Sequence, residues 1–199
     1  MQIFIYTGLS FKAFDPAKID EIPMGASQTS AVRLGRALSK LGHQVIVSGQ
    51  GINTHTEIQS ILSEMEFDVI IVLRYPSFIE DFTYKTKQLI LWLQDTRFAD
   101  GGFKSKCDGP KIALANISKI DKVVCLTSEH QKYFLDKYPE FTEKTYHINN
   151  GIDLDTFSTQ DKIPNRFIWS SKPKRGLSRA IEIFKIIKEK INDAELVVA

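Results

Sequence analysis

The chain has 199 residues, of which 43% are hydrophobic and 25% are charged, and its formal net charge at neutral pH is +2. This composition is typical of a globular protein, and the length is sufficient for one well-filled domain with residues to spare. The small net charge and the scattered cations argue against a nucleic-acid-binding face.

Apolar runs typical of strands alternate with segments of helical periodicity along the first 150 residues. The six predicted strands are 2–7, 44–48, 68–73, 89–93, 122–127 and 145–149. Helices are predicted around 31–41, 58–65, 112–120 and 128–138, the first ended by Gly42, the last capped by Ser128 and stopped by Pro139. Continuously apolar strands indicate burial on both faces of a parallel sheet. The sequence therefore predicts an α/β fold with a doubly wound, Rossmann-like sheet.

The pattern changes after residue 150. Residues 151–164 are polar, show no helical period and are interpreted as a linker. A second strand–helix–strand unit follows within 165–199, and its helix carries Ile181, Phe184 and Ile187 at helical spacing. A unit of this size cannot bury its own apolar faces. We therefore expect 1–150 to form one domain and 165–199 to be the first part of a second one.

A small-residue turn precedes the first predicted helix. Gly25 and Ala26 begin it, and Ser27 and Gln28 follow. Free backbone N–H groups at a helix start suit an anion such as a diphosphate. The alternative is a simple helix cap by Ser27 or Thr29. The residues directly after the first strand lack the GxGxxG pattern, so the turn is not a dinucleotide fingerprint.

Polar residues also follow two later strands. Gln94 and Asp95 come after strand 89–93, and Arg74 comes after strand 68–73. Ligands of open α/β sheets bind beyond the carboxyl ends of the strands, which makes these residues candidates. From spacing alone, a plain turn in which Asp95 caps a local backbone group is equally compatible.

A cationic loop stands between the strand and the helix of the second unit. It carries Lys172, Lys174 and Arg175 before Gly176. Three cations at a helix start can hold a diphosphate. A solvated basic loop without a ligand is the alternative.

Cysteine and histidine usage indicates no metal site. Cys107 and Cys125 stand apart, and the four histidines lack the spacing of metal ligands. The start of the chain has no leader pattern, and no run is long and apolar enough to cross a bilayer. The expected compartment is the cytoplasm.

Three segments in order resemble glycosyltransferase family 4. Residues 25–28 (GASQ), followed by AVRLGRALSKLGHQVIV, are similar to its glycine-rich loop and first helix. Residues 147–157 (HINNGIDLDTF) resemble its interdomain signature, and residues 169–198 resemble the opening of its nucleotide-binding domain. Such a resemblance implies the GT-B fold of two Rossmann-like domains. A nucleotide-binding regulator of the flavodoxin-like class would explain the strands but not these segments.

The implied activity is transfer of a sugar, with retention, from a nucleotide-diphosphate donor to a hydroxyl of a glycan, lipid or similar acceptor. No metal and no cofactor beyond the sugar nucleotide is implied. The resemblance places the following residues: Gln94 and Asp95 at the reacting sugar; Gly25, Ala26, Lys172, Lys174 and Arg175 at the donor phosphates; Arg74, Ser27 and Gln28 on the acceptor side. The implied partners are these substrates, with peripheral membrane association and self-association through the second unit also compatible.

The chain departs from the family pattern at several positions. Gln94 stands where many members have histidine, Gln28 where many have glutamate, and Ser170 where the usual arginine stands. The family's carboxylate pair would follow Ala199. We therefore expect the 199-residue chain to give no sugar transfer in a radiolabelled-donor assay. These departures also favour an alternative, a non-catalytic module that binds a glycan or a partner protein.

Overall fold

The chain forms two units, Met1–Asp153 and Leu154–Ala199, which are described separately. The computed structural model describes residues 1–9, 18–19, 21, 24–49, 52, 54–96, 98, 109–152, 154 and 161–199. Three features singled out from the sequence lie wholly or partly outside these ranges: Cys107, residues 10–13 after the first strand, and residues 153 and 155–160 of the predicted linker.

Six parallel strands form the sheet of the first unit. They are β1 (Gln2–Tyr6), β2 (Gln44–Val47), β3 (Phe67–Leu73), β4 (Thr86–Trp92), β5 (Lys122–Cys125) and β6 (Thr145–His147). Their order across the sheet is β2-β1-β3-β4-β5-β6, with parallel pairing throughout. The predicted α/β, Rossmann-like architecture is confirmed. Because β1 lies between β2 and β3, the chain reverses direction across the sheet there, and this is the topological switch point.

Helices connect the strands. They are α1 (Ala26–Lys40), α2 (His55–Glu64), α3 (Phe78–Asp81), α4 (Gly109–Ala115) and α5 (Ser128–Lys137), with 3₁₀ turns at Ile117–Lys119 and Pro139–Lys144. The first ends as predicted, with Gly42 at φ 85° just beyond its last turn. Pro139 ends α5 but starts a 3₁₀ turn, for which its fixed φ is suited. The short α3 has no signature in the sequence pattern.

The cap of α5 differs from the prediction. Thr127, not Ser128, is the N-cap, and its hydroxyl accepts the backbone N–H of His130. A cap residue needs extended backbone, which Thr127 has at φ −144° and ψ 166°. Ser128 already has helical geometry, so its hydroxyl cannot reach the free amides of the first turn. The structure thus shifts the helix boundary by one residue.

The central strands are buried on both faces, as their apolar runs predict. On one face, Phe4 and Tyr6 of β1 pack with Phe78 and Phe82 in an aromatic cluster. The opposite face is formed by residues that alternate with these, including Ile5. The strand β6 is an edge strand with one neighbour, and most of its side chains are therefore exposed. The sheet core thus holds β1, β3 and β4 rigidly, which fixes the positions of their carboxyl ends.

The second unit is a parallel strand–helix–strand. Its elements are β7 (Arg166–Trp169), α6 (Leu177–Lys190) and β8 (Glu195–Val198). Phe184 packs edge-on against Phe167 with ring centroids 6.1 Å apart. The helix also exposes apolar side chains, and Ile183 and Ile186 are more exposed than Ile181. Much apolar surface of this unit is therefore in contact with solvent in the described chain.

Gly8, directly after β1, provides a stability test. Its φ is 92°, and a Cβ at this position would lie 2.6 Å from the Tyr75 ring, which packs against the core. Gly42 has a similar φ of 85°, but a Cβ there meets nothing within 4 Å. We expect Gly42→Ala to lower the free energy of unfolding by about 1 kcal/mol, from backbone strain alone. Gly8→Ala should cost at least about 2 kcal/mol because the ring must also move.

Urea unfolding of both variants measures the difference directly. Equal losses for the two alanine variants would show that the Tyr75 ring does not constrain the turn after β1.

Candidate functional site

The candidate site lies at the carboxyl ends of β1, β3 and β4, beside the switch point. The end of β1 is held to the end of β2 by hydrogen bonds between Thr7 and Ser48. The backbone N–H of Thr7 donates to Ser48 Oγ at 2.8 Å, and the Thr7 hydroxyl donates to the Ser48 carbonyl at 3.0 Å. Both residues are buried. The first turn beyond the sheet therefore starts from a fixed point, as a binding site on a rigid scaffold requires.

Arg74 is the central residue of the site. Its guanidinium donates to Ser27 Oγ at 2.9 Å and to Asp95 Oδ2 at 2.6 Å. The exposed fractions of the Arg74 and Asp95 side chains are 18% and 35%, so the ion pair is half-buried. Three residues predicted from separate segments are thus brought into one cluster. The pairing also excludes the alternative in which Asp95 serves only as a local cap.

The backbone of Arg74 is strained. Its φ is 68°, in the left-handed region that residues with a Cβ avoid. The position is held in place because the Arg74 N–H donates to the Trp92 carbonyl at 3.1 Å, which extends the pairing of β3 with β4. Strain of this kind persists where the surrounding structure enforces it, and it concentrates at functional sites.

The start of α1 faces the same cluster through Ser27. Gly25 is the N-cap residue in extended conformation, and its N–H donates to Gln28 Oε1 at 3.1 Å. Neither Ser27 nor Thr29 is the cap, so the simple-cap alternative does not describe this turn. Ala26 and Ser27 are the first two helical residues, whose N–H groups have no partner within a helix. The positive end of α1 therefore lies next to the Arg74 guanidinium.

Gln94 lies between β4 and Asp95 and is half-buried. Its side-chain amide nitrogen is buried and has no hydrogen-bond partner among the described residues. A buried donor without a partner is uncommon in native proteins and calls for an explanation such as a bound ligand. An amide can orient a hydroxyl, but it cannot relay a proton near neutral pH.

His130, in the first turn of α5, is a site residue that the sequence did not reveal. It is 7% exposed, and its Nδ1 accepts the Leu126 backbone N–H at 3.2 Å. Burial lowers the pKa of His130, and the backbone and carboxylate of Asp95 partly oppose this. The Leu93 N–H donates to the Val124 carbonyl at 2.8 Å, which places the turn after β4, with Asp95, next to the turn after β5. The feature of the sequence that points to His130 is its position near the start of a helix that directly follows the end of a strand.

The cationic loop of the second unit forms a 3₁₀ turn, Pro173–Arg175, between β7 and α6. The three cations Lys172, Lys174 and Arg175 are exposed. The Arg175 N–H donates to the Lys172 carbonyl at 2.8 Å, and Gly176 follows at φ 107°. The turn thus presents three positive side chains at the start of a 14-residue helix. The described geometry suits an anion.

Metal binding, a membrane-spanning helix and thiol chemistry have little support in the part of the chain that the structure describes. No group of three or more His, Cys, Asp and Glu side chains there could hold a metal ion. No helix among these residues has the length and apolar character needed to span a bilayer. Cys125 is a buried free thiol whose pKa is raised to about 12 by burial, so it is unreactive near neutral pH.

Comparison with known proteins adds no assignment. No family model and no curated protein matches this chain. Functional inference therefore rests on the motifs and on the geometry of the site.

Arg74 allows a test of whether backbone strain is stored at the site. Both Arg74→Gly and Arg74→Ala remove the guanidinium, but only glycine tolerates φ 68° without strain. We expect the glycine variant to have the higher free energy of unfolding, by about 0.5–1 kcal/mol. At an ordinary helical position the order is reversed.

The matched control is Lys132, an exposed residue within α5. There the glycine variant should be less stable than the alanine variant by about 1 kcal/mol. Chemical denaturation of the four variants gives both differences. The same order at both positions would contradict a strained Arg74.

Proposed function

We propose that the first unit forms the acceptor side of a retaining glycosyltransferase, which moves a sugar from a nucleotide-diphosphate donor to a hydroxyl acceptor. One observation carries the proposal. Beside the switch point, the Arg74 side chain forms hydrogen bonds with Ser27, 47 residues earlier in the sequence, and with Asp95, 21 residues later. Ligands of open α/β sheets bind at this place. The order of the motifs along the chain, similar to that of family 4, supplies the reaction class.

The chemistry of the cluster suits a polyhydroxyl ligand. Asp95 offers a carboxylate acceptor, and the buried amide of Gln94 offers a donor. Sugars present adjacent hydroxyls that both donate and accept, so a carboxylate and an amide together can orient a single hydroxyl. Because Asp95 is tied to Arg74, its direction is set before the ligand arrives. Such preorganisation lowers the entropic cost of aligning an acceptor with the donor sugar.

The cationic loop of the second unit is suited to bind the phosphates of a nucleotide-diphosphate donor. Departure of a nucleoside diphosphate requires fixed positive charge, because negative charge develops on the leaving oxygen. Lys172, Lys174 and Arg175 provide such charge, and the start of α6 adds its positive end. Arg175 directly precedes Gly176, as the family's cation does.

A second candidate function is a non-catalytic module that binds a glycan or a partner protein. The observation in its favour is Gln94, which replaces a titratable side chain by an amide. Recognition of a carbohydrate needs the same hydrogen-bonding groups without transfer. The two candidates differ in whether a sugar nucleotide binds.

Calorimetric titration of the 199-residue chain with UDP-linked and GDP-linked sugars tests the proposal. We expect at least one donor to bind, and Arg175→Ala to weaken that binding by about 10- to 100-fold, because a charge-assisted hydrogen bond to a phosphate is lost. The control is Lys185→Ala, which removes one exposed charge from the middle of α6 and should change affinity little.

Equal affinity of the wild type and Arg175→Ala would remove the loop from the donor site. Binding to members of a glycan array, with no binding to any sugar nucleotide, would favour the non-catalytic module instead.

A further inference from the structure

His130 is fixed by both its backbone and its ring. Its backbone N–H donates to Thr127 Oγ1 at 3.1 Å in the cap of α5. The side chain folds back over the carboxyl end of β5, where Nδ1 accepts the Leu126 N–H at 3.2 Å. With 7% of the residue exposed, the ring has little room to turn. Its orientation is therefore set by the turn between β5 and α5.

The two ring nitrogens have different roles. Because Nδ1 accepts a hydrogen bond, the proton of the neutral ring resides on Nε2. Nε2 is buried and has no partner with hydrogen-bonding geometry among the described residues. The paired ends of β4 and β5 bring the Asp95 turn next to the turn that carries His130. The backbone and carboxylate of Asp95 oppose the lowering of the pKa of His130, in keeping with this placement. A buried N–H is thus held beside the residue that pairs with Arg74.

We propose that His130 is a positioning residue for Asp95: its Nε2–H, oriented by the Nδ1 contact with Leu126, binds the Asp95 backbone carbonyl and so fixes the turn that carries the carboxylate. The inference rests on the proposed function for the nature of the ligand that Asp95 binds. In the described structure the Asp95 backbone acts on the ring, although Nε2 falls short of full hydrogen-bonding geometry. Arg74 and Ser27 are coupled to Asp95 through the ion pair and the hydrogen bond of the guanidinium.

The His130 ring must be neutral in order to position Asp95. A protonated Nδ1 could not accept the Leu126 N–H, so the cation would break the contact that orients the ring. Burial keeps the pKa of His130 below its ordinary value, which favours the neutral form at pH 7. The ring thus acts by donating one hydrogen bond and not by transferring a proton.

Two amide variants separate the two nitrogens. His130→Asn places an oxygen near Nδ1, which preserves the acceptor for Leu126 but removes the donor at Nε2. His130→Gln places an amide N–H near Nε2 and gives up the Nδ1 acceptor. His147→Gln is the matched control, because His147 is exposed on β6 and its Nδ1 contacts Gln131.

The first measurement does not depend on any ligand. Long-range ¹H–¹⁵N spectra of the wild type should show His130 as the tautomer protonated at Nε2, and the Asp95 and Ser27 amide signals should shift in His130→Asn but stay near wild type in His130→Gln. A tautomer protonated at Nδ1, or equal Asp95 shifts in the two variants, would overturn the role of His130.

The second measurement uses the UDP-linked or GDP-linked sugar that binds the wild type, together with simple methyl glycosides as acceptor probes. We expect His130→Asn to weaken binding about tenfold, from the loss of one hydrogen bond, and His130→Gln to retain most of the affinity. His147→Gln should match the wild type. Equal weakening by Asn and Gln would indicate a purely structural histidine.

The two measurements distinguish separate failures. If no sugar nucleotide or glycoside binds the wild type, the proposed function is wrong, and the tautomer and amide signals still decide whether His130 positions Asp95.

Discussion

The ion pair between Arg74 and Asp95, extended to Ser27, is the interaction on which the candidate site depends. It links the ends of β3 and β4 to the start of α1, three elements that the sheet alone would leave independent at their tips. Arg74 makes the bridge from a left-handed backbone conformation, and its N–H donates to the Trp92 carbonyl of β4. The pairing of β3 with β4 therefore continues into the strained residue that carries the guanidinium.

Polar groups around this bridge are arranged for hydrogen bonding more than for proton transfer. Gln94 contributes an amide where a titratable group would be needed for a relay, and burial lowers the pKa of His130, whose Nδ1 accepts the Leu126 N–H. Asp95 is engaged with a cation. A site with this character can orient hydroxyls and stabilise charge, which is what retaining sugar transfer requires from the acceptor side. The same character would serve carbohydrate recognition without catalysis, and sugar-nucleotide binding separates the two.

Much of the fold could be predicted from the sequence because its signals are local. Strands buried on both faces appear as continuous apolar runs, and the end of α1 is marked by Gly42 at the left-handed position after the last turn. The N-cap of α5 was assigned one residue too late, since Thr127 and Ser128 both carry capping hydroxyls and only the backbone angles distinguish them. The four-residue α3 is too short to show a period.

The residues of the site could be predicted individually, but their contacts could not. Arg74, Ser27 and Asp95 each follow or begin an element at the expected edge, whereas the bridge between them depends on strand order and on a φ value that no local pattern encodes. His130 has no comparable signal, because its place next to the Asp95 turn comes from the turn between β5 and α5 and from the pairing of β4 with β5. A histidine in the first turn of an amphipathic helix is otherwise unremarkable in sequence.

A double-mutant cycle between Arg74 and Asp95 tests the central claim most directly. Arg74→Ala, Asp95→Ala and the double variant are compared with the wild type by urea unfolding. For a half-buried, charge-assisted pair that joins two strand ends, we predict a coupling free energy of about 1 kcal/mol or more. A coupling near zero, with additive losses from the two single variants, would show that the bridge does not hold the site together.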